Sequence, residues 1–500
     1  MRRREFIKFL PSAALLPWSS KFADAAENKA SSEAALPQVD VRRDFGARGD
    51  GVADDWQAIE RAGIFLEAQG GGRMYFPTGR YRLPTLGRNL TVRNNIEYFG
   101  DGSGSVIVGS NAGFISPKGA IFGRNSYRDY TYFAAHDIHA GDQTITTDDA
   151  ADAGNFKPGD IIIARSVTAM ELPDNNLPHY VEMNRVTSVN DGIVNLEDPI
   201  DDGWNGVLVA NVTSEVSQGY SIHDLRIETE HGFPFFVQAS YKAEFRNCST
   251  RGLSAMTVNG FTRSVAHHIT ATVLWSAERS ESVLEIETGS VRASVHDIEV
   301  QLIGQATPSQ RYPLLYCQEF SRRTSLWNIR IDASQIAVAA VIQTLAGGHS
   351  FENIRVVART VGKVLDYFCG DPAVFSLNHL PLTLRSITVD TLDPSNGFSH
   401  GFILYNNYPN GTVENVTVQD CVINGVTDQA DHNLIWFLRG DQRNILFEDV
   451  RGSGDIKSGG DDAQPLKLTN VQIRDCQYRK IASKALPKQA LFANNRPYHP

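Results

Sequence analysis

Asp224-Leu225-Arg226-Ile227, Asp297-Ile298-Glu299-Val300, Asn328-Ile329-Arg330-Ile331, Asn353-Ile354-Arg355-Val356, Asn415-Val416-Thr417-Val418 and Asn470-Val471-Gln472-Ile473 repeat one phrase. It reads polar turn residue, apolar, any, apolar. Looser copies start at Asn247, His268, Ser386 and Asp449. The mean spacing is roughly 27 residues, a solenoid period. Each copy is too short and too alternating for a helix. Alternation puts Leu225 and Ile227 on one face, and Ile354 and Val356 likewise. A single strand of this kind cannot bury its apolar face, whereas stacked copies pair edge to edge and share a core. Asn or Asp suits the turn before each strand, because the short side chain bonds nearby backbone and tolerates left-handed geometry. Stacked, these residues form a ladder.

A second strand precedes each phrase: Phe235-Phe236-Val237-Gln238, Met256-Thr257-Val258-Asn259, Leu284-Glu285-Ile286-Glu287, Leu315-Tyr316-Cys317-Gln318, Ala340-Val341-Ile342-Gln343, Phe402-Ile403-Leu404-Tyr405 and Ile435-Trp436-Phe437. Two or three strands per coil make an all-β, right-handed parallel β-helix solenoid. The Leu-x-x-Leu-x-Leu-x-x-Asn pattern of leucine-rich repeats is absent, and a propeller needs about 40 or more residues per blade.

The chain has 500 residues and a net charge of −10. That balance disfavours nucleic acid and an anionic membrane surface as partners. The five cysteines (Cys248, Cys317, Cys369, Cys421, Cys476) show no paired metal spacing and read as small core residues. Residues 1–26 read as a signal peptide: Arg2-Arg3-Arg4-Glu5-Phe6-Ile7-Lys8, an apolar stretch from Phe9 to Trp18, then Ala23-Asp24-Ala25. The apolar part is too short to span a bilayer in the mature form. The paired arginines resemble a twin-arginine signal, so a periplasmic or secreted protein is expected. Residues 27–39 read as a disordered lead-in, 40–481 as the β-helix domain and 482–500 as a loose tail.

Within the domain, Asp54 and Gln57 form a capping-box pair ahead of the stripe Ile59, Ala62, Leu66, which Gly70 to Gly72 end. That helix caps the open end of the solenoid, whose strand edges are otherwise unpaired. Residues 137–212 break the rhythm with short strands and the loop Glu171 to Tyr180, and read as a small β insertion beside the groove.

The run Asp44-Phe45-Gly46-Ala47-Arg48-Gly49-Asp50-Gly51-Val52-Ala53-Asp54-Asp55-Trp56-Gln57-Ala58-Ile59, with Phe76-Pro77-x-Gly79-x-Tyr81, resembles the opening motif of the pectate-lyase-like superfamily. The resemblance implies a right-handed β-helix, a structural role for Asp50, Asp54 and Asp55, and usually carbohydrate chemistry. Hydrolases, lyases, epimerases and phage depolymerases share the fold, and the depolymerases are often trimers. Fold alone does not choose among them. The Asn-Thr-Asp, Asp-Asp, Gly-His-Gly and Arg-Ile-Lys motifs of the polygalacturonase-type hydrolases are not found in context. Gly348-His349-Ser350 and Ser399-His400-Gly401 are poor substitutes.

Alternation along the preceding strands turns Gln238, Thr257, Asn259, Glu285, Glu287, Tyr316, Gln318, Gln343, Tyr405 and Trp436 outward, and Asp366 with them if Leu365 points in. A shallow groove with amides, carboxylates and aromatic rings suits a polysaccharide. Coils stack about 4.8 Å apart. Glu287 and Glu319 then come roughly 5–8 Å apart and Asp366 roughly 10 Å further along, a spacing for acid and base or nucleophile on a glycosidic bond. Catalytic candidates are therefore Glu287, Glu319 and Asp366. Substrate-binding candidates are Glu285, Tyr316, Gln318, Arg322, Arg323, Gln343, His400, Tyr405 and Trp436. Arg322 and Arg323 suit a uronate, or an ion pair with Glu319. His400 and Tyr405 are candidate proton donors. His267-His268 reads as a ladder position. His136 and His139 lack further ligands at zinc spacing, so no cofactor is expected; calcium fits any acidic groove but nothing specifies it.

The expected function is polysaccharide cleavage, with hydrolysis slightly favoured over β-elimination. A sugar epimerase and a non-catalytic carbohydrate-binding or adhesion solenoid are the alternatives. Either a monomer or a trimer fits.

Overall fold

The computed structural model describes residues 36–498 apart from 85–88, 116–129, 168–180, 276–281, 288, 305–308, 311–312, 318–320, 339, 345–346, 361–362, 365–372, 378–381, 394–397, 406–411, 425, 427–431, 460–465 and 483–490. The leader-like residues 1–26 and the loop from 171 to 180 lie outside them. So do Gln318, Glu319, Asp366 and Cys369.

Among the described residues the chain is a parallel β-helix. An 18-stranded sheet holds the repeated phrases and a 12-stranded sheet holds the strands that precede them. The phrase lies inside a longer strand that turns a corner at its polar residue. Asp224, Asn247, His268, Asp297, Asn328, Asn353 and Ser386 all have left-handed backbone, φ 51 to 55. Side chains there stack as a ladder: Asn328 Nδ2 donates to Asp297 Oδ1 at 3.0 Å, and Asn353 Nδ2 to Asn328 Oδ1 at 2.7 Å. Short polar side chains bear this geometry because they can bond locally where a branched apolar one would clash.

The phrase at Asn415 belongs elsewhere. Val416 pairs with Leu382, so Ser386 is opposite Asp420, and the corner column runs on through Asp420, Asp449 and Asp475. Asn415, Asn444 and Asn470 make a second column with its own ladder, at 3.1 and 2.9 Å. Residues 491–498, expected within a loose tail, add short strands that pair with Lys467–Arg474 and Gln477–Tyr478. Asn494 supplies another left-handed corner there, and Asn495 bonds Cys476 N and Ile473 O.

Helix α1 (Trp56–Ala68) buries Ala58, Ile59, Ala62, Gly63 and Leu66 over the first coils. Its N-cap is Asp55, not Asp54, and Asp55 makes no side-chain cap bond. Its carboxylate instead takes Arg48 N and Gly49 N at 2.6 and 3.1 Å, closing the glycine-rich turn. Asp50 accepts Val52 N and Ala53 N. These acids build the turn, as the opening motif implies. Cys248, Cys317, Cys421 and Cys476 are buried and free, and burial pushes the Cys248 thiol up to about 12.

The insertion is a six-stranded antiparallel sheet running from Phe133–Ala135 to Val207–Asn211. One face carries its own core of Ile138, Ile145, Ile162, Val186, Val194 and Val209. The other packs Ile161, Ile163, Val181 and Met183 on Ala239 and Tyr241 of the solenoid. No helix among the described residues is long and apolar enough to cross a membrane.

Candidate functional site

The outward face of the 12-stranded sheet is a straight column. Strand register joins Phe236 to Thr257, Glu285, Tyr316, Gln343, Ser376, Ile403, Trp436 and Lys457 in succession. Beside it runs a shorter column, Gln238, Asn259, Glu287. Glu285 to Trp436 is five steps, about 24 Å at the strand spacing. Period-two alternation thus orients these side chains as expected.

It does not leave them in water. Tyr405 is 0% exposed, Glu285 4% and Trp436 9%, and Tyr316 and His400 are buried as well. Gln343 and Glu287 are half-buried. Asn259 Nδ2 donates to Glu287 Oε2 at 2.9 Å. Further along, Tyr405 and Trp436 join Ile403 and Leu438 in an apolar cluster on this face. The His400 ring lies 4.8 Å from that of Trp436, and Lys457 Nζ sits 4.8 Å from the indole centroid on its other neighbouring strand. Asn433 Nδ2 donates to His400 Nδ1 at 3.1 Å, which leaves the ring proton on Nε2 in the neutral tautomer. His400, Tyr405 and Trp436 therefore come together, several coils away from Glu285, Glu287 and Tyr316. His400 opens the strand His400–Leu404. With Glu319 and Asp366 outside the described residues, Glu285 and Glu287 are the sequence-derived carboxylates that the structure places.

Arg322 and Arg323 pair with acids of the six-stranded sheet. Arg322 is buried, pairs with Asp202, donates from Nη2 to Val181 O at 2.9 Å, and lies 5.2 Å from the Trp204 ring centroid. Arg323 Nη2 donates to Asp201 O at 2.6 Å and to Asp202 Oδ1 at 3.0 Å. They belong to a seam that sequence reading missed. Lys242, Arg263, Arg292 and Arg323 occupy successive turns, all with left-handed backbone. Lys242 pairs with Glu197 and Asp198, Arg263 with Asp198 and Glu182, and Arg292 with Asp201. The missed signal is a basic residue recurring after four successive strands of the 12-stranded sheet.

At the seam's centre, burial and the neighbouring Asp201 charge raise the Glu182 carboxyl to about 7, against the pull of Arg322 and Arg263. Glu182 accepts Asp201 N at 3.0 Å. A carboxyl with a raised folded pKa stabilises fully below its unfolded value, and that stability is lost as pH rises through about 7. Glu182→Gln, which mimics the protonated form, should match the wild type at pH 5. At pH 8 it should be the more stable of the two. Melting curves at the two pH values check this, and a variant weaker at both would refute it.

Among the described residues, no group of three or more His, Cys, Asp or Glu is placed to hold a metal ion. The sequence family described as rhamnogalacturonase A/epimerase, pectate lyase-like, matches residues 38–249. Over that stretch the chain is similar to this pectate-lyase-like family, and its fold is the parallel β-helix. Among curated proteins, the mannuronan C5-epimerase AlgE6 of Azotobacter vinelandii is 43% identical over 70 residues, 13% of this chain and 8% of that protein. Alginate lyase 7 of the same organism is 36% identical over 70 residues, again 13% and 8%. The chain thus spans only 8% of the length of these relatives. The tailspike gp61 of Pseudomonas phage phi297 aligns with a TM-score of 0.48 at 12% identity, over 91% of this chain and 82% of that one.

Proposed function

We propose that this carbohydrate-active β-helix protein is an exported glycoside hydrolase that binds a polysaccharide along the outward face of its 12-stranded sheet. The carrying observation is the pair Glu285 and Glu287, two residues apart on the strand Leu284–Glu287 and turned to the same face. Two strand steps separate them by about 7 Å, a spacing that leaves room for a water beside the scissile bond, as inverting hydrolysis requires. Asn259 steadies Glu287, and Tyr316 lies beside Glu285 in register. The seam supports hydrolysis over elimination, since the arginines best suited to neutralise a uronate are committed to Asp201 and Asp202. Export rests on the leader-like residues 2–18.

A second reading is proton abstraction on a uronate, by an epimerase or lyase. The names of the curated relatives and the pairing of His400 with Asn433 near Lys457 favour it. The test is a panel of neutral and acidic polysaccharides, read for new reducing ends and for the ultraviolet absorbance of an unsaturated uronate. Reducing ends without absorbance are expected. Both signals together would make it a lyase, and changed uronate composition without shortening an epimerase. No change on any polymer would favour a binding solenoid.

A further inference from the structure

The six-stranded sheet touches the solenoid in two chemically different ways. Its apolar contact is with Ala239 and Tyr241, in the coil that also carries Gln238. Charge joins it there through Lys242, and past that coil the contact is carried by arginines. Arg263, Arg292, Arg322 and Arg323 meet Glu182, Asp198, Asp201 and Asp202. These arginines sit on the turns that follow the strands bearing Asn259, Glu287 and Tyr316. The part of the sheet alongside the carboxylate pair is therefore held by ion pairs. Ion pairs between forked guanidinium groups and carboxylates are directional, so they fix register in a way that apolar contact does not.

Arg322 is the most committed of the four. It is buried, and its guanidinium spans two separate segments of the sheet, Asp202 and the carbonyl of Val181, beside Trp204. Its own backbone is locked between coils: its N–H donates to Ser290 O at 2.8 Å, and its carbonyl takes Arg292 N at 3.0 Å. One residue thus joins the turn after the Tyr316 strand to a sheet lying more than a hundred positions upstream.

We propose that Arg322 is a positioning residue which, through Asp202 and Val181, clamps the six-stranded sheet as a side wall along the edge of the groove at Glu285 and Glu287. The clamp stands on the contacts alone; its effect on substrate rests on the hydrolase reading. Removing it lets the wall swing while the solenoid stays folded.

The test is amide hydrogen exchange on the full chain. Arg322→Met should speed exchange in the wall strands Ile161–Ser166 and Val181–Asn190 on the order of tenfold or more, because the buried guanidinium that joins Asp202 to Val181 is lost while Asp202 keeps Arg323 as its partner. The distant solenoid strand Thr412–Asn424 should not change. Asp202→Asn should act in the same strands, and the double variant should be less than additive, because both remove the Arg322–Asp202 pair. On a cleaved polymer, Arg322→Met should raise KM several-fold and leave kcat within about twofold. Exchange unchanged in the wall, raised equally throughout the solenoid, or additive in the double variant would overturn the clamp. If no polymer is processed, exchange still decides the clamp, so the two readings fail separately.

Discussion

Glu287→Gln is expected to remove chain cleavage almost entirely, lowering kcat by on the order of 10²–10⁴ while leaving KM nearly unchanged. The amide keeps the shape of the side chain, and its oxygen still accepts the Asn259 bond that holds the carboxylate at 2.9 Å. Only the ability to take or give a proton, or to carry charge, is lost. Glu285→Gln should fall by a similar factor if the two act as a pair across one glycosidic bond. Initial rates on the cleaved polymer, with the anomeric form of the product followed by NMR, measure both points. Inversion is expected from a separation of about 7 Å. A Glu287→Gln protein with wild-type rate would end the carboxylate-pair reading and direct attention to His400 and Asn433. A retained anomer would mean that the two carboxylates lie closer than their strand spacing implies.

The same strand explains what could be read in advance. Backbone geometry has a period of two, so the sequence alone orients Glu285, Glu287, Tyr316 and Trp436 outward, and the register carries each onto its neighbour. Left-handed corners were legible for a similar local reason, because Asn and Asp tolerate them. Alternation names a face, however, and not what lies over it. Tyr405 is fully buried on a face that alternation calls outward. Nor does period fix registry over a long gap. The phrase at Asn415 looks like that at Asn353 yet stands in another column, because Val416 pairs with Leu382. The seam was illegible for a third reason. Arg322 and Asp202 are 120 residues apart, and nothing local to either tells of the other. The paired acids Asp201-Asp202 and the paired bases Arg322-Arg323 were visible, but only the fold brings them together.

Phe245→Ala should be the most damaging single core change near the site. Phe245 comes from the 18-stranded sheet, while Phe235 and Phe261 come from the 12-stranded one. Its ring stacks on Phe235 at 4.7 Å and 8°, and lies 5.3 Å from Phe261 and 6.0 Å from Tyr220. It thus bridges the two sheets across the solenoid interior. Truncation there loses both transfer energy and contacts, about 3–5 kcal/mol. In a solenoid that loss is not spread evenly, because each coil is stabilised chiefly by its neighbours. Denaturant unfolding should therefore show an early transition from the flanking coils rather than a uniform shift of the whole curve. Asn259 precedes Phe261 by two residues on the same strand, so the early transition should also loosen the Asn259 to Glu287 bond and reduce cleavage at temperatures where most of the chain remains folded. Phe245→Leu, which keeps much of the volume, should recover most of both losses. An Ala variant within about 1 kcal/mol of wild type would mean that the coils relax into the vacated space, and that stability near the site is not set by this aromatic bridge.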